Sequence, residues 1–172
     1  MSGKTIFPIL ENNAWVFRVW APNARQVTLL LTSRKREIPM ERKEFGYWEK
    51  TVMEARPGDR YRYRLDKEGS FPDPASLSQP DGVHGDSELF RLDEFHWSDG
   101  DWQPVPLEEM IQYELHTGTF SEKGDFDGVI QRLDHLDQLG VNTIEIMPVG
   151  QFSGRRNWGY DGAYPFAVHD SY

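Results

Sequence analysis

Between residues 14 and 92 apolar and polar positions alternate in short runs, the period of strands that bury one face. Residues 15–20 alternate around Arg18 and are broken by Ala21, Pro22 and Asn23; 26–32 form a second run, 38–40 a weak third, and 47–53 a fourth that starts after Gly46. Pro57, Gly58 and Asp59 are a turn signal, and 61–65 follows with Tyr61 and Tyr63 on one face. This spacing predicts a small all-β, immunoglobulin-like sandwich. Residues 71–86 are dense in Pro, Gly and Asp and read as a long ordered loop, with 88–92 as a last strand. Residues 99–106, with Trp102 and two prolines, read as a domain boundary.

Beyond that boundary the period changes. Residues 111–116 are a short alternating run. Residues 126–139 place Phe126, Val129, Ile130, Leu133, Leu136 and Leu139 at three- and four-residue intervals, the apolar stripe of a helix that Gly140 ends. Residues 141–147 are a second strand rich in β-branched and apolar side chains. Strand, helix, strand is one βαβ unit, and two parallel strands with one helix cannot bury both faces of a sheet. The expected division is therefore 1–104 for the sandwich and 105–172 for the incomplete start of a larger β/α fold.

A hydrophobic fraction of 38% supports a core, and the six Trp and seven Tyr also suit a sugar-handling surface, because the CH faces of sugars stack on flat rings. Most of the tryptophans are expected inside, as is usual for that residue. The net charge of -9 disfavours nucleic acid and fits a neutral substrate. With no Cys there is no disulfide and no thiolate metal site. Residues 1–10 lack the pattern of a signal peptide, and no run approaches the ~20 apolar residues of a membrane helix. A cytoplasmic protein without membrane or nucleic-acid partners is expected, its oligomeric state open. No metal-ligand cluster and no phosphate-cradling glycine loop stands in the chain, so neither metal nor cofactor is expected.

Several segments carry a resemblance. Phe17, Arg18, Val19, Trp20, Ala21, Pro22, Asn23 and Ala24, followed by Val27, resemble the opening of the family 48 carbohydrate-binding module. Residues 113–120, 139–149 and 158–162 are similar to the first strand, the second strand and the loop beyond it in the TIM-type barrel of glycoside hydrolase family 13, the α-amylase clan. The run Asp73, Pro74, Ala75, Ser76, with Gln79, Pro80, Gly82, Val83, His84 and Gly85, resembles the trehalohydrolase group of that family, departing from its pattern at Leu77, Ser78 and Asp86. The resemblance implies a sandwich followed by the truncated start of a (β/α) barrel, from an enzyme that acts on an α-glucan and releases trehalose from maltooligosyl trehalose. A branching-enzyme portion, or a non-catalytic glucan-binding or scaffolding module, is the alternative.

Retaining glycosidases need two carboxyl groups ~5 Å apart across the scissile bond. The family places them beyond the strands present here, so no residue of this chain is assigned a catalytic role. Glu114 and Glu145 alternate with apolar residues and read as a paired polar cluster inside a barrel. Trp158, Tyr160 and Asp161 are the candidate substrate-binding residues. By resemblance Tyr160 stacks on the sugar just before the cleaved bond and Asp161 hydrogen-bonds a hydroxyl. The competing reading has Trp158 and Tyr160 fold the loop back on the barrel while Asp161 makes an Asx turn. His169 reads as structural, and Arg155 and Arg156 as solvated or locally paired.

Overall fold

A computed structural model describes residues 5–67 and 69–172. Residues 1–4, which open both the predicted sandwich and the stretch tested for a signal peptide, lie outside the described residues. The first half contains β1 (Ile9–Glu11), β2 (Ala14–Trp20), β3 (Val27–Leu31), β4 (Arg36–Pro39), β5 (Glu41–Arg42), β6 (Tyr47–Val52), β7 (Arg60–Leu65), β8 (Ser70–Phe71) and β9 (Ser87–Glu88). They form two antiparallel sheets. One runs β1-β2-β6-β5; the other runs β4-β3-β7-β8, with β9 also paired to β7.

The two-residue period puts Trp15, Phe17 and Val19 of β2, Val27, Leu29 and Leu31 of β3, Trp48 and Val52 of β6, and Tyr61 and Tyr63 of β7 into one core. Each large side chain buried there contributes about 1.5–3 kcal/mol of transfer free energy. The ring of Phe17 meets Tyr61 edge-on at 5.2 Å, and Tyr61 meets Tyr63 at 5.8 Å. Strand β2 departs from the expected alternation because its outer face is covered too. Val16 and Arg18 are both buried. Arg18 pairs with Glu49 at 2.6 Å, directly opposite on β6, and donates to the Thr5 carbonyl, so the charge is compensated where it is buried.

The expectation for tryptophan is corrected: Trp15 and Trp48 are core, whereas Trp20, Trp97, Trp102 and Trp158 are 61–77% exposed. Those four sit at a strand end or in loops, where no second layer faces them. The long loop is ordered as predicted and buries Asp73, Ser76 and Gln79. The last strand is shorter than predicted and one step earlier, only Ser87–Glu88. Asp86 accepts hydrogen bonds from Thr32 and, at 3.1 Å, from Arg62. A carboxylate at that departure from the family pattern thus ties the loop to the turn after β3 and to β7.

The second half contains β10 (Gln112–Leu115), α1 (Thr117–Phe120), α2 (Phe126–Ile130), α3 (Leu133–Gln138), β11 (Thr143–Ile146), β12 (Gly150–Gln151) and β13 (Tyr164–Val168). Strands β10 and β11 pair in parallel across the helical crossover, and β12 and β13 form a separate antiparallel pair. Two paired strands close no barrel. The single predicted helix is two: Arg132, at φ -110° and ψ 5°, donates its N–H to the carbonyl of Val129, a tighter bond that ends α2 before α3 begins. Of the predicted stripe only Val129 and Leu136 are buried, with Leu115, while Ile130 and Leu139 are each 61% exposed. Asp125 caps α2 through the Gly128 N–H, and Gly140 ends α3 at φ +85°. Glu114 and Glu145 face one another in register but are exposed, so the buried polar cluster expected of them is not formed; Glu145 accepts from Gln112. No helix among the described residues is long and apolar enough to cross a membrane.

One carboxyl lies inside the sandwich. Asp73 is fully buried and accepts from the Tyr61 hydroxyl at 2.8 Å and the Ala75 N–H at 2.9 Å. Burial raises its pKa to about 7, against the Ala75 N–H and the Tyr61 and Tyr63 hydroxyls, which favour the anion. The folded pKa lies above the unfolded value of about 3.9. Folded protein therefore binds more protons between the two, and this group's stabilising contribution is full below about pH 4 and lost as the pH rises towards 7. Asp59 shifts the other way: burial pushes it up, but Arg34, the Arg56 N–H and Ser33 together hold it below the ordinary carboxylate range. Comparison with Asp73→Asn isolates the buried group. The variant should gain stability relative to the parent as the pH is raised from 5 to 7.5 in urea melts; a difference independent of pH rules the assignment out.

Candidate functional site

Because β10 and β11 are parallel, their C-terminal ends open on the same side. His116 follows the last residue of β10, and Met147 follows β11 with its N–H on the Leu115 carbonyl at 2.9 Å, so the ladder continues to the rim. The loop that leaves this rim carries residues 154–162. Between that loop and the turn at His116, Gly118 and Thr119 lies a cavity of about 860 Å³.

Asn157 organises the loop. Its side-chain oxygen accepts the Gly159 N–H at 2.8 Å, its amide donates to Asp161 at 3.2 Å, and its carbonyl lies 2.7 Å from His116 Nε2. A carbonyl can only accept, so Nε2 carries the proton and Nδ1 is left to accept from the Thr119 hydroxyl at 3.3 Å. The Tyr172 hydroxyl also reaches His116 Nε2 at 3.2 Å, with the two rings edge-on at 5.9 Å. Burial raises the Tyr172 pKa above the ordinary phenol value. Gly159 has φ +92°, and a Cβ there would lie 1.8 Å from the Pro148 carbonyl oxygen, so no side chain fits.

The three predicted residues come together on this cavity. Trp158 and Tyr160 are 74% and 65% exposed, so neither folds back on the strands. The Asx turn belongs to Asn157, while Asp161 is the acceptor of the Asn157 amide. Sequence reasoning missed Asn157 and Tyr172 and gave His116 no place in the site; the position of His116 just past the end of a predicted strand was the available signal. Arg155 and Arg156 are exposed on the cavity rim. His169 is buried, stacked on Phe152 at 3.8 Å, and bonded to the Gly154 carbonyl and the Ser171 hydroxyl, a structural role as read from the sequence. Among the described residues no group of three or more His, Cys, Asp or Glu is placed to hold a metal ion.

Comparison with known proteins decides the family. Residues 5–93 match the model of the carbohydrate-binding module 48 (isoamylase N-terminal domain). The chain belongs to the carbohydrate-binding module 48 family. It is 47% identical over 163 residues to the malto-oligosyltrehalose trehalohydrolase of Saccharolobus solfataricus, covering 95% of this chain and 29% of that protein. It is 26% identical over 174 residues to the 1,4-alpha-glucan branching enzyme GlgB of Shewanella frigidimarina, covering 88% of this chain and 23% of that protein. The crystal structure of a provisionally named alpha amylase from Salmonella typhimurium superposes with a TM-score of 0.92 at 35% identity, covering 99% of this chain and 29% of that one. The chain thus spans less than a third of the length of the relatives it matches, and the module accounts for its first half. The cavity at Trp158 and Tyr160 lies outside the matched module.

Gly159 makes this arrangement testable in the chain itself. Gly159→Ala forces a side chain into a left-handed backbone and onto the Pro148 carbonyl, so the 157–162 loop should leave its present path. Amide exchange of Gly159 and its neighbours should accelerate by about tenfold or more, a local cost of roughly 1–2 kcal/mol. Exchange unchanged across the loop would show that the close approach to Pro148 does not hold it.

Proposed function

We propose that the chain is the N-terminal portion of a retaining, α-glucan-active glycoside hydrolase that releases trehalose from maltooligosyl trehalose. In this reading β10, the α1–α3 crossover and β11 are the opening of a TIM-type barrel, and the two catalytic carboxyl groups belong to later strands. The observation that carries it is the exposed pair Trp158 and Tyr160 over a cavity at the C-terminal side of two parallel strands, where barrel enzymes assemble their sites. The higher identity to a trehalohydrolase than to a branching enzyme supports the choice of reaction. In this site Tyr160 supplies a flat apolar face to a glucose ring, and Asp161, held by Asn157, accepts from a sugar hydroxyl. Trp158 extends the same surface.

A ring that favours the distorted, positively charged sugar of the transition state acts on rate more than on binding. In the longer polypeptide that continues this reading frame, Tyr160→Ala should lower kcat/KM for maltotriosyl trehalose by about one to two decades, by analogy with stacking contacts of roughly 1–3 kcal/mol. Tyr160→Phe should lose less. Residues 1–172 alone should release no trehalose. An alanine variant that stays within about twofold while folding normally, or release by residues 1–172 above a buffer blank, would overturn the assignment.

The division near residue 104 belongs to the same proposal. The sandwich core draws on residues 15–89 only, and the smaller cluster of Leu115, Val129 and Leu136 shares no member with it. A polypeptide ending near Trp102 should therefore melt in one cooperative step; a broad, probe-dependent melt would move the boundary.

A further inference from the structure

Four Asp-Gly dipeptides stand in the sequence, at Asp81, Asp99, Asp127 and Asp161. Such a pair can close a succinimide ring without a partner or cofactor. The backbone nitrogen of the glycine attacks Cγ of the aspartic acid; the C–N bond forms as the C–OH bond of the protonated carboxyl breaks, and the amide proton leaves with that hydroxyl as water. Water then opens the ring at either carbonyl. Opening at the α-carbonyl gives an isoaspartyl residue, whose main chain runs through the former side-chain carbonyl and is one carbon longer. No electrons change hands. Glycine favours the attack because no Cβ crowds the nitrogen and its backbone turns freely. A folded chain opposes it wherever that N–H or that carboxyl is already bonded, because the bond must be given up first.

At three of the four the fold opposes it. Gly82 donates its N–H to the Gln79 carbonyl at 3.1 Å, and Asp81 pairs with Arg60 at 3.2 Å. Gly128 lies inside α2 and donates to the Asp125 carboxylate at 2.8 Å. Asp161 accepts from the Asn157 amide at 3.2 Å, and the chain just past Gly162 is fixed by the Ala163 N–H on the Gln151 carbonyl at 2.7 Å. Asp99 differs. Residues 92–104 are all exposed, and the stretch around them belongs to no helix or strand. Among the described residues neither the Asp99 carboxyl nor the Gly100 N–H has a hydrogen-bond partner; the one bond there is from the Trp102 N–H to the Asp99 carbonyl at 2.9 Å. A Cβ added at Gly100 would meet nothing within 4 Å, so nothing crowds the closing ring.

We propose that Asp99 and Gly100 are the site at which this chain converts spontaneously to isoaspartate, in the connection between its two halves. Conversion lengthens that connection by one main-chain carbon and turns the carbonyl that holds the Trp102 N–H into a carboxylate off the main chain. The site is independent of the function proposed above. Trypsin, cutting after Lys67, Arg91, Lys123, Arg132 and Arg156, leaves each Asp-Gly on its own peptide: 68–91, 92–123, 124–132 and 157–172. The 172-residue chain is held at mildly acidic pH, folded in buffer or unfolded in guanidinium chloride, and each digest is labelled with an isoaspartyl methyltransferase and S-adenosylmethionine. In the folded chain peptide 92–123 should lead, within about threefold of its unfolded rate, while 68–91 and 124–132 fall about tenfold or more below theirs. Gly100→Ala puts a methyl into open space outside the left-handed region, so it should melt with the parent yet cut the label on 92–123 by about tenfold. The proposal is overturned if another peptide leads in the folded chain, or if folding slows 92–123 by about tenfold or more. It is equally overturned if the four peptides keep the same proportions folded and unfolded, or if Gly100→Ala leaves the label on 92–123 unchanged.

Discussion

The hydrogen bond from Tyr61 to Asp73 is the constraint on which the rest of the first half depends. A carboxyl with no exposed surface has to be satisfied inside, and here the hydroxyl of Tyr61 and the Ala75 N–H do so while the Ser87 hydroxyl accepts the Asp73 N–H at 2.9 Å. Tyr61 is at the same time a central ring of the core, between Phe17 and Tyr63. One side chain therefore joins the packed layer to the long loop, and removing either partner leaves the other a buried polar group without this bond.

That loop is also the mechanical connection to the second half. Asp86 holds one end to Thr32 and Arg62, and the Val83 carbonyl accepts the Tyr164 hydroxyl of β13 at 2.8 Å. Phe7 and Phe166, with ring centroids 6.5 Å apart, make a second link between the N-terminal segment and the same strand. A sandwich that anchors a loop, which in turn anchors the hairpin flanking the Trp158 loop, can position the cavity there without contributing a residue to it.

The family assignment accounts for the first of these halves and leaves the second to physical argument. Two parallel strands with a short broken crossover bury only a small core, and Ile130, Leu139 and Ile146 remain exposed. Exposed apolar side chains at helical spacing and on a parallel strand are what a β/α layer presents when further strands and helices are needed to cover it. Glu114 and Glu145 are likewise open to solvent although they stand opposite one another.

What the sequence by itself determined was whatever depends on local period and turn chemistry. The alternation of Trp15, Phe17, Val19 and of Tyr61, Tyr63 fixes which faces turn inward, Pro57-Gly58 fixes a turn, and the spacing of Val129 and Leu136 with Gly140 fixes a helical crossover between two strands. It also placed Trp158, Tyr160 and Asp161 on a loop beyond the second parallel strand, because a motif after a strand is a local signal. Only the tertiary structure decided which of the tryptophans are covered, since coverage depends on a second layer that no window of sequence contains. It likewise decided that Arg18 on a nominally outer position is buried against Glu49, that the helix breaks at Arg132, and that Asn157 rather than Asp161 makes the turn. The raised pKa of Asp73 and the meeting of His116 with Asn157 and Tyr172 belong there too. The Tyr61–Asp73 bond spans 12 positions and the His116–Tyr172 contact 56, and both exist only once the chain is folded.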